Sequence, residues 1–191
     1  VTEGATAVDT NVAITDTDTG DDNTCVKGGA DAALFTCTVS ATAYSVAFTS
    51  SPNYDSGTAC AAGNSCTVTI KINDGAQDGA TITYTITVAD ANDQTPTYTA
   101  TSTTPTVTEG ATAVDTDVAI TDTDTGDSNT CTKGGADAAL FTCTVSATAY
   151  SVAFSSAPDY DSGSACAAGN TCVVTIKIND GAQDGATITY T

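Results

Sequence analysis

The sequence predicts an all-β chain of two tandem Greek-key β-sandwich domains. Three observations carry this: short segments that alternate apolar and polar residues, turn signals between them, and a long internal repeat. Residues 80–89 read ATITYTITVA, with Ile82, Tyr84, Ile86 and Val88 alternating with Thr81, Thr83, Thr85 and Thr87. A period of two buries one strand face and wets the other. Residues 66–72, CTVTIKI, place Cys66, Val68, Ile70 and Ile72 on one face. Tyr44, Val46 and Phe48 mark a third strand, and shorter ones are expected at Leu34–Val39 and Val12–Thr15. NDG (73–75), SPN (51–53) and KGG (27–29) are read as the turns between them. Helical periodicity is confined to one turn at Ala30–Leu34. Thr, at 41 of 191 residues, favours strands. About seven short strands in roughly 100 residues suit a sandwich.

The repeat sets the domain organisation. Residues 1–85 align with 107–191 without a gap, and nine positions differ. The offset of 106 residues is the size of a small domain and too long for a solenoid unit. Two modules are expected, 1–94 and 95–191, the first with an incomplete N-terminal strand and the second with a truncated C-terminal strand. The second copy stops 21 residues short of a full period, so the segment is expected to come from a longer array. No signal-peptide pattern is visible, and any export signal is expected outside this segment.

Charge narrows the functions. The chain carries 23 acidic residues, 4 Lys, no Arg and no His, for a net charge of −19. Nucleic acid and anionic membrane surfaces are excluded as partners, because both need clustered cations. No apolar run is long enough to insert in a membrane. Histidine-based catalysis is impossible, and a Ser nucleophile has no His to activate it. A pair of carboxylates beside a sugar cleft is the remaining hydrolytic option. Near-identical copies without aromatic platforms argue against it, so the chain is read as no enzyme.

Each module holds four cysteines: Cys25, Cys37, Cys60 and Cys66, then Cys131, Cys143, Cys166 and Cys172. Four cysteines allow three pairings. The short Cys60–Cys66 loop favours a local bridge there, with Cys25–Cys37 as the other. Disulfides imply an oxidising, extracellular setting. Buried thiols or a zinc site are the alternatives, the latter disfavoured because five and eleven residues separate the cysteines where zinc ligands usually stand closer.

The acidic residues are clustered. Glutamate occurs only at Glu3 and Glu109, which are equivalent positions. TDTDTGDDN (15–23) and TDTDTGDSN (121–129) place Asp16/Asp18 and Asp122/Asp124 two apart after a strand. NYD (53–55) becomes DYD (159–161), and IND precedes Gly75 and Gly181. DANDQTP (90–96) lies where one module hands over to the next. Oxygen-rich sites without His or thiolate suit Ca²⁺; a solvated acidic surface is the competing reading. An EF-hand is excluded, because counting from Asp16 puts Asp21 at the invariant glycine position and Lys27 at the bidentate glutamate.

The succession VTEG, DTDTG-x-x-N, GGADAALF, NYD or PDYD, INDG and DANDQTP resembles the cadherin repeat, especially its bacterial form, over nearly the whole chain. Asp55 and Asp161 stand where the family usually has Glu, Asn53 replaces an Asp in the first copy, and Gln94 replaces the last Asn of the linker. The resemblance implies a Ca²⁺ cluster between modules. Its ligands, carried over by position, are Glu3, Asn53 and Asp55; Asn92 and Asp93 with the carbonyls of Ala91 and Gln94; and Asp122, Asp124 and Asp180 with the carbonyl of Asn129. Asp16, Asp18 and Asp74 are expected to face a preceding module, and Glu109, Asp159 and Asp161 a following one. The implied function is a structural or adhesive cell-surface array or filament, whose partners are neighbouring repeats and other copies. A glycan- or ice-binding module and a spacer of a secreted enzyme are the alternatives.

Overall fold

The computed structural model describes residues 1–17, 20 and 22–191. The chain divides into two units, Val1–Ala91 and Asn92–Thr191. Nearly all regular structure is β, and no helix among the described residues is long and apolar enough to cross a membrane.

The first unit holds β1 (Ala7–Ala13), β2 (Thr24–Gly28), β3 (Phe35–Val39), β4 (Ala43–Phe48), β5 (Ser65–Asn73) and β6 (Ile82–Thr87). They form two antiparallel three-stranded sheets, ordered β1-β4-β3 and β2-β5-β6. The chain crosses between sheets after β1, β2 and β4 and makes hairpins at β3–β4 and β5–β6, which is a Greek-key sandwich. A parallel bridge between Thr2 and Ala89 adds an N-terminal edge.

Period-two burial explains the two central strands. Tyr44, Val46 and Phe48 on β4 and Cys66, Val68 and Ile70 on β5 are buried, and their neighbours are not. Phe35 packs on Phe48 with ring centroids 4.4 Å apart. On β6 the pattern holds for Ile86 and, just beyond the strand, Val88, but Ile82, opposite the buried Ile70, is 42% exposed.

Three expectations need correction. The first strand runs over Ala7–Ala13 instead of Val12–Thr15. Asn11 sits at φ 54°, with register shifts around it, and its N–H goes to Ser45 Oγ at 3.0 Å. This bulge breaks the alternation that would reveal the strand's first half. Leu34 belongs to a 3-10 turn, Ala32–Leu34, and is exposed; the strand starts at Phe35. Lys27 and Gly28 lie in β2, and the turn follows at Gly29, with φ 93°. Gly28 is needed within the strand, since a Cβ there would stand 2.7 Å from Thr69 Oγ1.

The second unit repeats the plan with β7 (Thr97–Tyr98), β8 (Ala113–Thr121), β9 (Thr130–Gly134), β10 (Phe141–Val145), β11 (Ala149–Phe154), β12 (Val174–Asn179) and β13 (Ile188–Tyr190). Its sheets are β10-β11-β8-β7 and β13-β12-β9. Here the first long strand does reach Thr121, because β7 pairs with Thr121 and Ile120. Ala13 ends the equivalent strand in the first unit, where no such partner exists among the described residues.

All eight cysteines pair. Cys25–Cys37 and Cys131–Cys143 staple one sheet to the other, while Cys60–Cys66 and Cys166–Cys172 close short loops.

Several buried or half-buried aspartates serve the fold. Asp31 is 4% exposed, and its carboxylate accepts the backbone N–H groups of Ala61 and Thr67, both at 2.7 Å. Asp137 does the same for Ala167 and Val173. Asp9 accepts from the Tyr84 hydroxyl at 3.0 Å, and Tyr84 pairs with the Tyr44 hydroxyl. Asp115 accepts from Tyr190 and from the Thr101 N–H. Burial, and then their bonds to the neighbouring tyrosine and aspartate, push the hydroxyls of Tyr84 and Tyr190 well above the usual phenol range.

Two outcomes follow for stability. Asp31→Ala removes the buried acceptor of two backbone N–H groups and is expected to cost about 2–4 kcal/mol in urea unfolding of the first unit; a loss under 1 kcal/mol would mean water replaces the carboxylate. Replacing Cys25 and Cys37 together by Ala removes a longer loop constraint than replacing Cys60 and Cys66. The expected losses are about 3 and about 2 kcal/mol, to be read from chemical denaturation of the two double variants.

Candidate metal centre

In the second unit the residues after β8 turn sharply and gather three carboxylates. Asp122, Asp124 and Asp127 each offer an oxygen, all within 4.8 Å of one another. Asp124 is buried, and Asp122 and Asp127 are half-buried. The Asp124 N–H donates to Asp122 Oδ1 at 3.3 Å. Asp180, in the turn after β12, is 1% exposed. Its Oδ1 accepts the N–H groups of Ala182 and Gln183 at 2.7 and 2.6 Å, which fixes the carboxylate.

Residues 92–94 cover this cluster. Asn92 Nδ2 donates to Asp127 Oδ1 at 2.9 Å and to the Asp180 carbonyl at 3.2 Å. The Gln94 N–H donates to Asp124 Oδ2 at 2.7 Å. This coverage separates Asp180 from its repeat counterpart. Asp74 makes the same turn bonds, to Ala76 and Gln77, but is only half-buried. Those N–H bonds hold the Asp74 carboxyl below its usual range.

Five oxygens here are buried and lack a hydrogen-bond donor: Asp122 Oδ2, Asp124 Oδ1, Asp127 Oδ2, Asp180 Oδ2 and Asn92 Oδ1. Such atoms are costly unless something positive faces them. Among the described residues no lysine faces them: Lys27 and Lys133 donate to the carbonyls of Phe35 and Phe141, and Lys71 and Lys177 pair with Asp78 and Asp184. Burial, and then the neighbouring aspartate charges, push Asp122 and Asp127 above the usual carboxyl range. At these separations each like-charged pair costs on the order of 1–3 kcal/mol. An all-oxygen set of carboxylates with one carboxamide fits a hard divalent cation.

The first unit has a smaller acidic group of its own. Glu3 is 7% exposed; its Oε2 accepts the Tyr54 N–H at 2.8 Å and its Oε1 the Ala91 N–H at 3.0 Å. Asp55 brings one oxygen within 4.8 Å of a Glu3 oxygen and one within 4.8 Å of an Asp90 oxygen.

Other expected ligands are less enclosed. Asn53 is exposed, and its side-chain oxygen accepts the Ser56 N–H. Asp93 is exposed and accepts from Gln94 Nε2 at 2.7 Å. Asn129 uses its Nδ2 on the carbonyls of Ser146 and Ala147. Asp16 is exposed, as are Glu109, Asp159 and Asp161. Asp159 accepts the Ser162 N–H. Asp18 lies outside the described residues.

Two members of these groups were not expected, Asp127 and Asp90. Both lie inside motifs already picked out, TDTDTGDSN and DANDQTP, so their proximity in sequence to the expected ligands was the available signal.

No protein-family model matches this chain, and no curated protein matches it. Solved structures do. A protocadherin gammaB7 segment of repeats EC3-6, described as a cis-dimer, has 19% identity and a TM-score of 0.63 over 98% of this chain and 43% of its own. The protocadherin gammaB4 extracellular domain has 17% identity and a TM-score of 0.63, over all of this chain and 30% of its own. Repeats EC22-24 of mouse cadherin-23 have 18% identity and a TM-score of 0.59, over all of this chain and 60% of their own. The chain thus spans less than half the length of the two protocadherin structures. At these identities the likeness concerns the fold, and the fold is that of cadherin extracellular repeats.

Proposed function

We propose that this chain is a non-enzymatic segment of an extracellular tandem-repeat protein of structural or adhesive type, stiffened by Ca²⁺. The observation that carries the reading is the group Asp122, Asp124, Asp127 and Asp180, each of which keeps one buried oxygen without a hydrogen-bond donor. In this reading these side chains hold the cation together with Asn92 and, as the cadherin resemblance implies, with Glu3, Asn53 and Asp55 of the preceding repeat and with Asp93 and the linker carbonyls of Ala91 and Gln94. Bound Ca²⁺ supplies the positive charge that the carboxylates lack. A linker restrained at both ends by such a cluster turns a string of small domains, free by default to move against each other, into a rod.

Two further features support this reading. The repeats are nearly identical, which suits a protein whose role is length, since modules with separate targets would differ in their loops. The eight paired cysteines suit an oxidising exterior. The likeness to cadherin repeats supports adhesion through other copies of the same chain. Asp16, Asp18 and Asp74 would meet an earlier repeat in such an array, and Glu109, Asp159 and Asp161 a later one.

Calorimetric titration of the chelator-treated chain with CaCl₂ is expected to show saturable binding, and Asp124→Asn is expected to weaken it at least tenfold. Heat release indistinguishable from buffer would overturn the reading. Calcium is further expected to raise the Tm and to narrow the distribution of interdomain distances in solution scattering. Asp124→Ala is expected to abolish that narrowing, while Asp31→Ala lowers the Tm and leaves the narrowing intact; equal effects of the two would show that the ligand assignment is wrong.

A further inference from the structure

Strand β7 is two residues long, yet it reaches both sheets of the second unit. Thr97 and Tyr98 pair with Thr121 and Ile120 of β8, and Thr97 Oγ1 donates to the Thr121 carbonyl at 3.1 Å. The Tyr98 side chain extends to the other sheet. Its hydroxyl accepts the Ile178 N–H of β12 at 2.9 Å and donates to the Ala186 carbonyl. Its ring meets the buried Tyr150 ring edge-on, with centroids 5.5 Å apart. The two strands it joins are those that carry the acidic cluster. β8 ends at Thr121, directly before Asp122, and β12 ends at Asn179, directly before Asp180.

The seat under Tyr98 is shaped for its ring. At Gly185 a Cβ would stand 2.5 Å from Tyr98 Cε1 and 2.6 Å from the Pro96 carbonyl oxygen, so only glycine lets the segment lie this close. Gly185 and Pro96 are both buried. At the counterpart Gly79 a Cβ would meet only the Ile72 carbonyl oxygen, at 3.2 Å. A second tie lies closer to the cluster. The Thr95 hydroxyl donates to Gln183 Oε1 at 2.8 Å, and the Gln183 N–H is one of the two that fix Asp180. Residues 92–94, which cover the carboxylates, therefore run directly into a segment pinned at Thr95 and Tyr98.

We propose that Tyr98 is a positioning residue for the cation of the acidic cluster, an inference that rests on the calcium reading above. Seated against Gly185, its hydroxyl straps the ends of β8 and β12 together and holds the Asn92 carboxamide and the Gln94 N–H over the carboxylates. The hydroxyl supplies no ligand atom and acts through the chain. Groups one step removed from a metal orient its ligands, and losing one typically weakens metal binding about 10–100-fold. The gain here is preorganisation. Without the strap, a cation has to order residues 92–98 as it binds, and that ordering lowers its net affinity.

The test is calorimetric titration of the full chain and four variants with CaCl₂. Tyr98→Phe keeps the ring and removes only the hydroxyl, and is expected to weaken calcium binding about tenfold. Gly185→Ala, which displaces the ring from below, is expected to do the same, while Gly79→Ala leaves the affinity unchanged. Asp137→Ala destabilises the same unit without touching the strap, and is expected to lower the Tm at unchanged affinity. Amide exchange of the calcium-free chain gives an independent readout: the Gln94 N–H is expected to exchange about fivefold faster in Tyr98→Phe than in the unsubstituted chain. No binding by the unsubstituted chain would overturn the calcium reading and this inference together. Binding by that chain which Tyr98→Phe matches, an equal weakening by Asp137→Ala, or an unchanged Gln94 exchange rate would each overturn this inference alone.

Discussion

Four aspartates share one end of a β-sandwich that has no positive side chain to give them. Asp122, Asp124, Asp127 and Asp180 stand at strand ends, where a turn can aim several carboxylates inward over a short stretch of chain. The turn N–H groups of Ala182 and Gln183 fix Asp180, and the Gln94 N–H and the Asn92 carboxamide fix others. These bonds satisfy one side of each group and leave the other oxygen buried and bare. The protein thus holds like charges close enough to repel, and it spends backbone donors to keep them there. Mutual repulsion would drive flexible carboxylates outward into water; the backbone donors hold these ones in place against it.

The same residue type has a second role, and hydrogen-bond satisfaction separates the two. Asp31 and Asp137 are as buried as Asp180, but both oxygens of each accept backbone N–H groups. Asp115 accepts a tyrosine hydroxyl and a backbone N–H. Such carboxylates are charge-assisted clamps that tie loops to the sheets. Burial alone would therefore have grouped all of them, and net charge would have grouped them with the exposed aspartates too.

Sequence made the central strands legible because β4 and β5 lie inside the sandwich, where each alternate residue must be apolar. It was poorer at the margins. Asn11 breaks the alternation of β1 with a left-handed residue, and Gly28 imitates a turn while serving as a strand position too crowded for a Cβ. The site was legible where spacing is rigid: Asp122 and Asp124 two apart, Asp180 ahead of its glycine turn. Asp127 and Asp90 carry no such spacing, and their part depends on how the loop closes. The Tyr84–Asp9 and Tyr190–Asp115 pairs join residues 75 apart in sequence, so no local pattern could announce them.

The near-identity of the repeats makes the chain its own control. Asp74 and Asp180 sit in the same turn sequence with the same two backbone donors, yet only Asp180 is sealed, because only it has residues 92–94 over it. That contrast cannot be traced to the nine substitutions, which are small and spare both residues. Whether this aspartate is sealed is therefore decided by the chain laid over its turn and not by the turn sequence, which is why a repeat-by-repeat reading of the sequence treats the two positions as equivalent.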